Sequence, residues 1–285
     1  MADLIFSRSL NDTPLTDAQI FRMAPAAYSE TQADHLSSRY GQVTTANAID
    51  MLRDSGFSPV QAAQVKSRKG SSDHAAHLVA FAPTNGGDIV RGTRGEIILY
   101  NSHDGRSSLK LFAGAYRFIC SNGIVAGEGF DAKLRHTKGT SENFEDMLRD
   151  VAGNLPDVME RIETMGQNSV SASDAIDFAY NAANLRWEWL DAESGQEPEK
   201  SGAYATRDTL VSLLRPTRQE DKSQDAWTIF NRVQEGLIRG GSKVRSYSDR
   251  NPHGKTRRSR PIGSVSGVVK TNRDLWDLAA DCGLV

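Results

Sequence analysis

Cysteine is scarce in this chain: Cys120 and Cys282 lie far apart, outside any Cys-x-x-Cys or Cys–His ligand spacing. That pattern excludes a disulfide-stapled scaffold and a structural zinc site, and it reads as two reduced thiols in a cytosol. No run approaches the ~18 consecutive apolar residues that a membrane span requires. The opening stretch MADLIFSRSLNDTPLTD pairs no basic region with a long apolar one, so no signal peptide is expected there. P-loop, G-x-G-x-x-G, His-Glu-x-x-His and EF-hand motifs are also missing, and no cofactor is expected. No internal repeat is visible. What is present is an ordinary globular composition, 38% apolar and 25% charged over 285 residues. Such a chain can bury a sizeable core in one large domain or two small ones.

The apolar period changes along the chain. Residues 1–40 are polar, punctuated by Pro14 and Pro25, and are expected to pack loosely apart from a short helix at TDAQIFRM. TTANAIDMLRDSGF reads as a helix capped at Thr44 or Thr45 and stopped at Gly56. From His77 to Val125 the period is two, with NGG, TRG, SHDG and SNG turn signals between β-rich runs. After Gly129 the period becomes 3.6 in SENFEDMLRDVAGNLPDVMERIETM, which Pro156 should kink or divide. Further helices are expected at SASDAIDFAYNAANLRWEWL, RDTLVSLLR, SQDAWTIFNRVQEGLIRGG and RDLWDLAADCG. The fold class is therefore α+β, an antiparallel meander at about residues 77–127 packed by a mostly helical C-terminal half. Residues 41–285 are expected to form a single domain.

Acidic and basic residues nearly balance, yet they are segregated. Between Arg239 and Arg273 stand ten cations and one carboxylate, Asp249, giving +9, which leaves −11 on the rest. A segment so rich in Ser, Gly and Arg has almost no apolar period. It is expected to be a long insertion loop at 239–273, anchored by helices at both ends. Affinity for a nucleic-acid backbone comes mainly from cations that release condensed counterions, and six to ten phosphate contacts suffice for a large effect. Lys243, Arg245, Arg250, Lys255, Arg257, Arg258, Arg260 and Lys270 are the candidate contacts. Tyr247 could stack on unpaired bases. The blander alternative is a solvated loop that adds only solubility. Lys66, Arg68 and Lys69, and Lys133, Arg135 and Lys138, could extend the surface, as could Lys110 and Arg117 on the sheet.

A catalytic alternative rests on Asn101-Ser102-His103-Asp104-Gly105 with Cys120 and Asn122 downstream. Cys120 would be the nucleophile, His103 its base, and Asp104 or Asn122 the orienter. Both tracts are also good turn sequences, because Asp-Gly and Asn122-Gly123 supply positive φ angles. Cys120, after Phe118 and Ile119, reads first as a buried inert thiol. His74 and His77, beside Asp73, have no further ligand nearby and are expected to face solvent.

The stretches RYGQVTTANAIDMLRDSGF, NSHDGRSSLKLFAGAYRFICSNGIVAG, WTIFNRVQEGLIRGG and the basic segment leading to LWDLAA resemble a phage and plasmid family classed as a domain of unknown function, DUF932. The resemblance marks Asn101 to Gly105, Gly114, Arg117, Cys120, Asn122 and Gly123 as a signature without assigning them a role. It implies carriage on mobile elements, a bacterial cytoplasm, and genes near replication, recombination or antirestriction functions. The outline is also similar to phage single-strand annealing proteins, a fold-level analogy only. The leading expectation is a protein that binds nucleic acid, single-stranded by preference, without cofactor or metal and as a homo-oligomer. The alternatives are a hydrolase using Cys120 and His103, and a protein–protein inhibitor of host defence.

Overall fold

In the computed structural model, the described residues are 7–8, 13–29, 44–64, 73–103, 108–118, 122–126, 131–134, 141–190, 198 and 200–285. They form an α+β fold in two compact units: residues 1–160 with 263–269, and residues 161–262 with 270–285. Two of the three boundaries fall inside helices, Leu155–Gln167 and Val265–Asp281, where no linker composition marks them.

The first unit opens with β1 (Ser7–Arg8), α1 (Asp17–Met23) and α2 (Thr45–Asp54). Thr16 and Thr44 cap the two helices by accepting the amide hydrogens of Gln19 and Asn47, and Gly56 at φ +86 ends the second. There follow β2 (Phe57–Gln64), β3 (His77–Pro83), β4 (Ile89–Val90), β5 (Thr93–Asn101), β6 (Leu109–Arg117), β7 (Asn122–Val125) and β8 (Asp131–Leu134). The sheet is antiparallel in the order β1-β2-β3-β5-β6-β7, with β4 on β5 and β8 on β6. Helix α3 (Ser141–Gly153) and the first half of α4 (Leu155–Gln167) follow, the two helices divided just before Pro156. β2 escaped the sequence reading because its segment FSPVQAAQ carries Pro59 and no strict alternation.

β5 is buried along its whole length and β6 nearly so, because both sheet faces are covered. On one face Leu78, Ala80, Ile98, Tyr100, Phe112 and Val125 join Val265 and Val269 in a single apolar cluster. On the other, Gly95 admits α4 so closely that its absent Cβ would lie 3.4 Å from the Met159 sulfur. The expected type I′ turn at Asn122-Gly123 is corrected: both residues lie in β7, paired with Arg117 and Tyr116. Strand pairing there takes the backbone that a two-residue turn would have used.

The second unit contains α5 (Ala172–Asn184), β9 (Glu188–Trp189), β10 (Gly202–Ala205), α6 (Arg207–Leu214), α7 (Ala226–Ile238), β11 (Lys243–Ser248), β12 (Asn251–Arg258) and α8 (Val265–Asp281), whose first turn belongs to the first unit. Its four-stranded sheet runs β12-β11-β10-β9. Trp227 and Phe230 stack at 5.6 Å on α7, and Trp276 meets Phe230 edge-on at 5.9 Å, an arrangement worth more than its buried area alone. Gly236 lets α6 approach α7, since a Cβ there would stand 2.6 Å from Leu213.

The expected basic loop at 239–273 is corrected. It contains a β-hairpin, and α8 begins at Val265 rather than near Arg273. The alternation of these strands is invisible to a hydropathy reading, because apart from Pro252 only Val244 and Tyr247 among their positions carry apolar side chains. Gly254 holds φ +67, and a Cβ there would fall 2.5 Å from the Tyr247 ring. Gly254→Ala therefore meets both strain and collision, and should cost the second unit about 1–3 kcal/mol. All four tryptophans lie in that unit, so urea unfolding followed by tryptophan fluorescence reads it selectively. An unchanged midpoint would show that the hairpin does not pack as described.

Candidate nucleic-acid interface

β11 is held on both sides. It pairs antiparallel with β10 through Ala203–Ser246 and Tyr204–Arg245, and with β12 through Lys243–Arg258, Arg245–Thr256 and Ser246–Lys255, with a bulge between Ser246 and Ser248. Helix α6 secures its start, where Thr209 Oγ1 donates to the Lys243 carbonyl at 2.6 Å and the Lys243 amide donates to Ser212 Oγ at 3.0 Å. β12 is the edge of the sheet and is almost wholly solvent-facing, with Lys255, Thr256, Arg257 and Arg258 exposed. Arg250 adds an exposed cation at the connection between the strands.

Some cations are engaged locally. Arg245 donates to the His253 carbonyl at 2.8 Å, and Arg258 to the Gly241 carbonyl at 3.0 Å. Arg250, Lys255 and Arg257 meet no carboxylate among the described residues. The hairpin thus presents a ribbon of positive charge on a rigid frame, where folding has already met the ordering cost of the backbone.

The structure gathers Lys243, Arg245, Arg250, Lys255, Arg257 and Arg258 on this hairpin and places other expected members elsewhere. Tyr247 is corrected from stacking platform to core: it is 9% exposed, packed edge-to-face on Tyr204 at 5.8 Å with Gly254 against its ring. Arg117 is likewise withdrawn, since it is 4% exposed in β6. Lys270 stands on α8 in an ion pair with Asp274. Arg260, two residues past β12, is exposed, and its main-chain carbonyl accepts from Arg186. Lys110 lies 5.9 Å over the Tyr100 ring in the first unit. Lys66, Arg68, Lys69, Arg135 and Lys138 fall outside the described residues, as does the Lys133 side chain.

The catalytic alternative has a different geometry. Asp104 and Cys120 lie outside the described residues, as does the Asn122 side chain. His103 itself is fully buried, as are His77, Thr45 and Asn101, which corrects the expectation that His77 faces solvent. His77 Nδ1 donates to the Ala75 carbonyl at 2.9 Å, leaving Nε2 to accept from Thr45 Oγ1 at 2.7 Å. Asn101 Nδ2 donates to the same Thr45 oxygen at 3.0 Å, and His103 Nε2 lies 3.5 Å from it. The network fixes one neutral tautomer of His77. Among the described residues, no three His, Cys, Asp or Glu side chains are grouped to hold a metal ion.

A family described as "Domain of unknown function (DUF932)" matches residues 33–276. The chain belongs to that family. It is 32% identical over 270 residues to each of two Escherichia coli (strain K12) proteins, UPF0380 protein YafZ and UPF0380 protein YfjQ. Each comparison covers 94% of this chain and 91% of the relative. No solved structure matches. In this DUF932 member the signature residues Asn101, Ser102, His103 and Arg117 are all buried, and Gly114 faces the buried Glu96 across β5 and β6. Their placement is that of sheet interior, not of an open cleft.

Burial pushes His77 down to about 4, the Ala75 carbonyl opposing only in part. A histidine depressed in the folded state contributes its full stability above its unfolded pKa of about 6.5. As pH falls below that value the unfolded chain takes up a proton that the folded chain refuses. Stability of the first unit should drop by up to about 3 kcal/mol between pH 7 and 4. Amide hydrogen exchange in β3 and β5 measures it, and His77→Gln should flatten the dependence.

Proposed function

We propose that this protein binds nucleic acid through the β11–β12 hairpin, by contact with the phosphate backbone. The observation that carries the reading is an exposed edge strand bearing Lys255, Arg257 and Arg258 beside Lys243, Arg245 and Arg250, with Asp249 as the hairpin's single carboxylate. Arginine forks match phosphate oxygens in pairs, and a rigid ribbon keeps several of them in register with a polyanion. Such contacts are indifferent to base sequence and steeply dependent on salt. With Tyr247 packed in the core, base stacking does not support a single-strand preference at this hairpin, and strand type becomes a quantity to measure. Recombination or replication of a phage or plasmid, in a bacterial cytoplasm and as an oligomer, belongs to the same proposal and rests on the resemblance alone. No helix among the described residues is long and apolar enough to cross a membrane.

The same residues support a second reading. An open sheet edge invites pairing with another strand, and cations together with Pro252 on β12 are what protects such an edge. The two readings separate on one experiment. Arg250, Lys255 and Arg257 replaced together by Gln should weaken binding of a labelled oligonucleotide about tenfold or more at low salt. The slope of log affinity against log salt should flatten by roughly 2 to 3. Fluorescence anisotropy across a salt series measures both. An unchanged slope, with aggregation in its place, would assign these cations to edge protection.

A further inference from the structure

Beside the hairpin the second unit encloses a groove of about 460 Å³ that the sequence reading did not foresee, a size typical of small-ligand sites. Val211 and Ser212 of α6 form one wall, the last turns of α7 another, and the base of the hairpin a third. Five cations line it, Arg215, Arg232, Arg239, Lys243 and Arg258, against two carboxylates, Asp208 and Glu235.

Their local bonds sort these charges. Glu235 accepts two hydrogen bonds of 2.8 Å from Arg218, so its charge is already answered. Arg232 is saturated by carbonyls, donating to Asp221 at 2.5 Å, to Leu214 at 3.3 Å and to Ser223. It thereby answers the end of α6, where the helix dipole places about half a negative charge. Lys243 Nζ makes only a long, exposed ion pair with Asp208 at 3.9 Å, and Arg239 one with Glu235 at 3.6 Å. Arg258 spends one guanidinium nitrogen on the Gly241 carbonyl. Arg215 is exposed and meets no carboxylate among the described residues. With five cations against two carboxylates the groove is net positive, and Arg215 and Arg258 keep donors to spare.

One side is shut by backbone. Gly240 holds φ +76, and its absent Cβ would lie 2.6 Å from the main chain of Ser259 and Arg260. The Gly241 amide donates to the Ser259 carbonyl at 2.9 Å, and the Ser259 amide to the Ser242 carbonyl at 2.8 Å. A pocket closed on one side suits the end of a chain better than a strand running through. We propose that this groove binds a terminal phosphate monoester, as carried by a nucleoside monophosphate or by the phosphorylated end of a nucleic-acid strand. A monoester carries close to two charges at neutral pH where a backbone diester carries one, which several converging cations distinguish. For strand ends the inference rests on the hairpin reading; for mononucleotides it stands alone.

Two titrations test it on the full chain. Calorimetry with dTMP and with thymidine asks whether the phosphate is recognised at all. Anisotropy with 5′-phosphorylated, 3′-phosphorylated and unphosphorylated forms of one oligonucleotide asks whether a strand end is. The expected result is binding of dTMP but not thymidine, with about a tenfold preference for a phosphorylated end. Both should be lost in Val211→Trp, which fills the mouth without changing charge, and in Arg215→Ala. Absence of dTMP binding together with equal affinity for all three oligonucleotides would overturn the groove while leaving the hairpin standing. Binding of dTMP with no binding of the unphosphorylated oligonucleotide would confirm the groove and remove the hairpin.

Discussion

Val244 and Tyr247 are the buried side chains of a strand pair whose other positions face solvent in whole or in part. On them depends the difference between a basic tail and a basic surface. Val244 turns inward beneath the α6 contacts, and Tyr247 is clamped between Tyr204 and Gly254. Burying an aromatic and a valine contributes a few kcal/mol, and the ladder to β10 adds directionality. That modest anchor orders six cations that would otherwise repel one another into an open coil. The groove beside them has the same origin, because Ser212 and Lys243, whose bond helps hold β11 against α6, also line it.

The first unit shows a different use of polar residues. Thr45 stands at the start of α2, while His77 and Asn101 face each other across β3 and β5. Joining them through one hydroxyl ties a helix terminus to the adjoining ends of two strands inside the sheet. Buried polar groups are costly unless satisfied and specific when they are. The Arg94–Glu96 pair, 3.0 Å apart on the opposite face, obeys the same rule. Thr45, His77, Asn101 and His103 are thus buried, while the exposed hairpin carries charge.

Much of this was legible in the sequence. The meander from His77 onward, the capped α2, the division near Pro156 and the helices α6 and α7 follow from period, caps and breakers, which act locally. The hairpin did not, because a strand pair of Lys, Arg and Ser has no hydropathy alternation to read, and only its two anchors mark it. The charge segregation was plain, but not which cations would be ordered together: Lys270 was claimed by α8 and Arg117 by the sheet interior. The groove was illegible, since Arg215 and Lys243 are far apart in sequence and are brought together only by tertiary packing. His77 looked like a loop histidine because nothing local announces that Thr45 will meet it.

The central claim is that the hairpin is where a polyanion sits, and lysine acetylation with and without oligonucleotide addresses it directly. At low salt and saturating oligonucleotide, mass spectrometry should show Lys255 protected strongly, and Lys243 with it, while Lys222 on the exposed turn before α7 keeps its reactivity. Equal protection of all three, or protection that spares Lys255, would place nucleic acid elsewhere on the molecule and contradict the account.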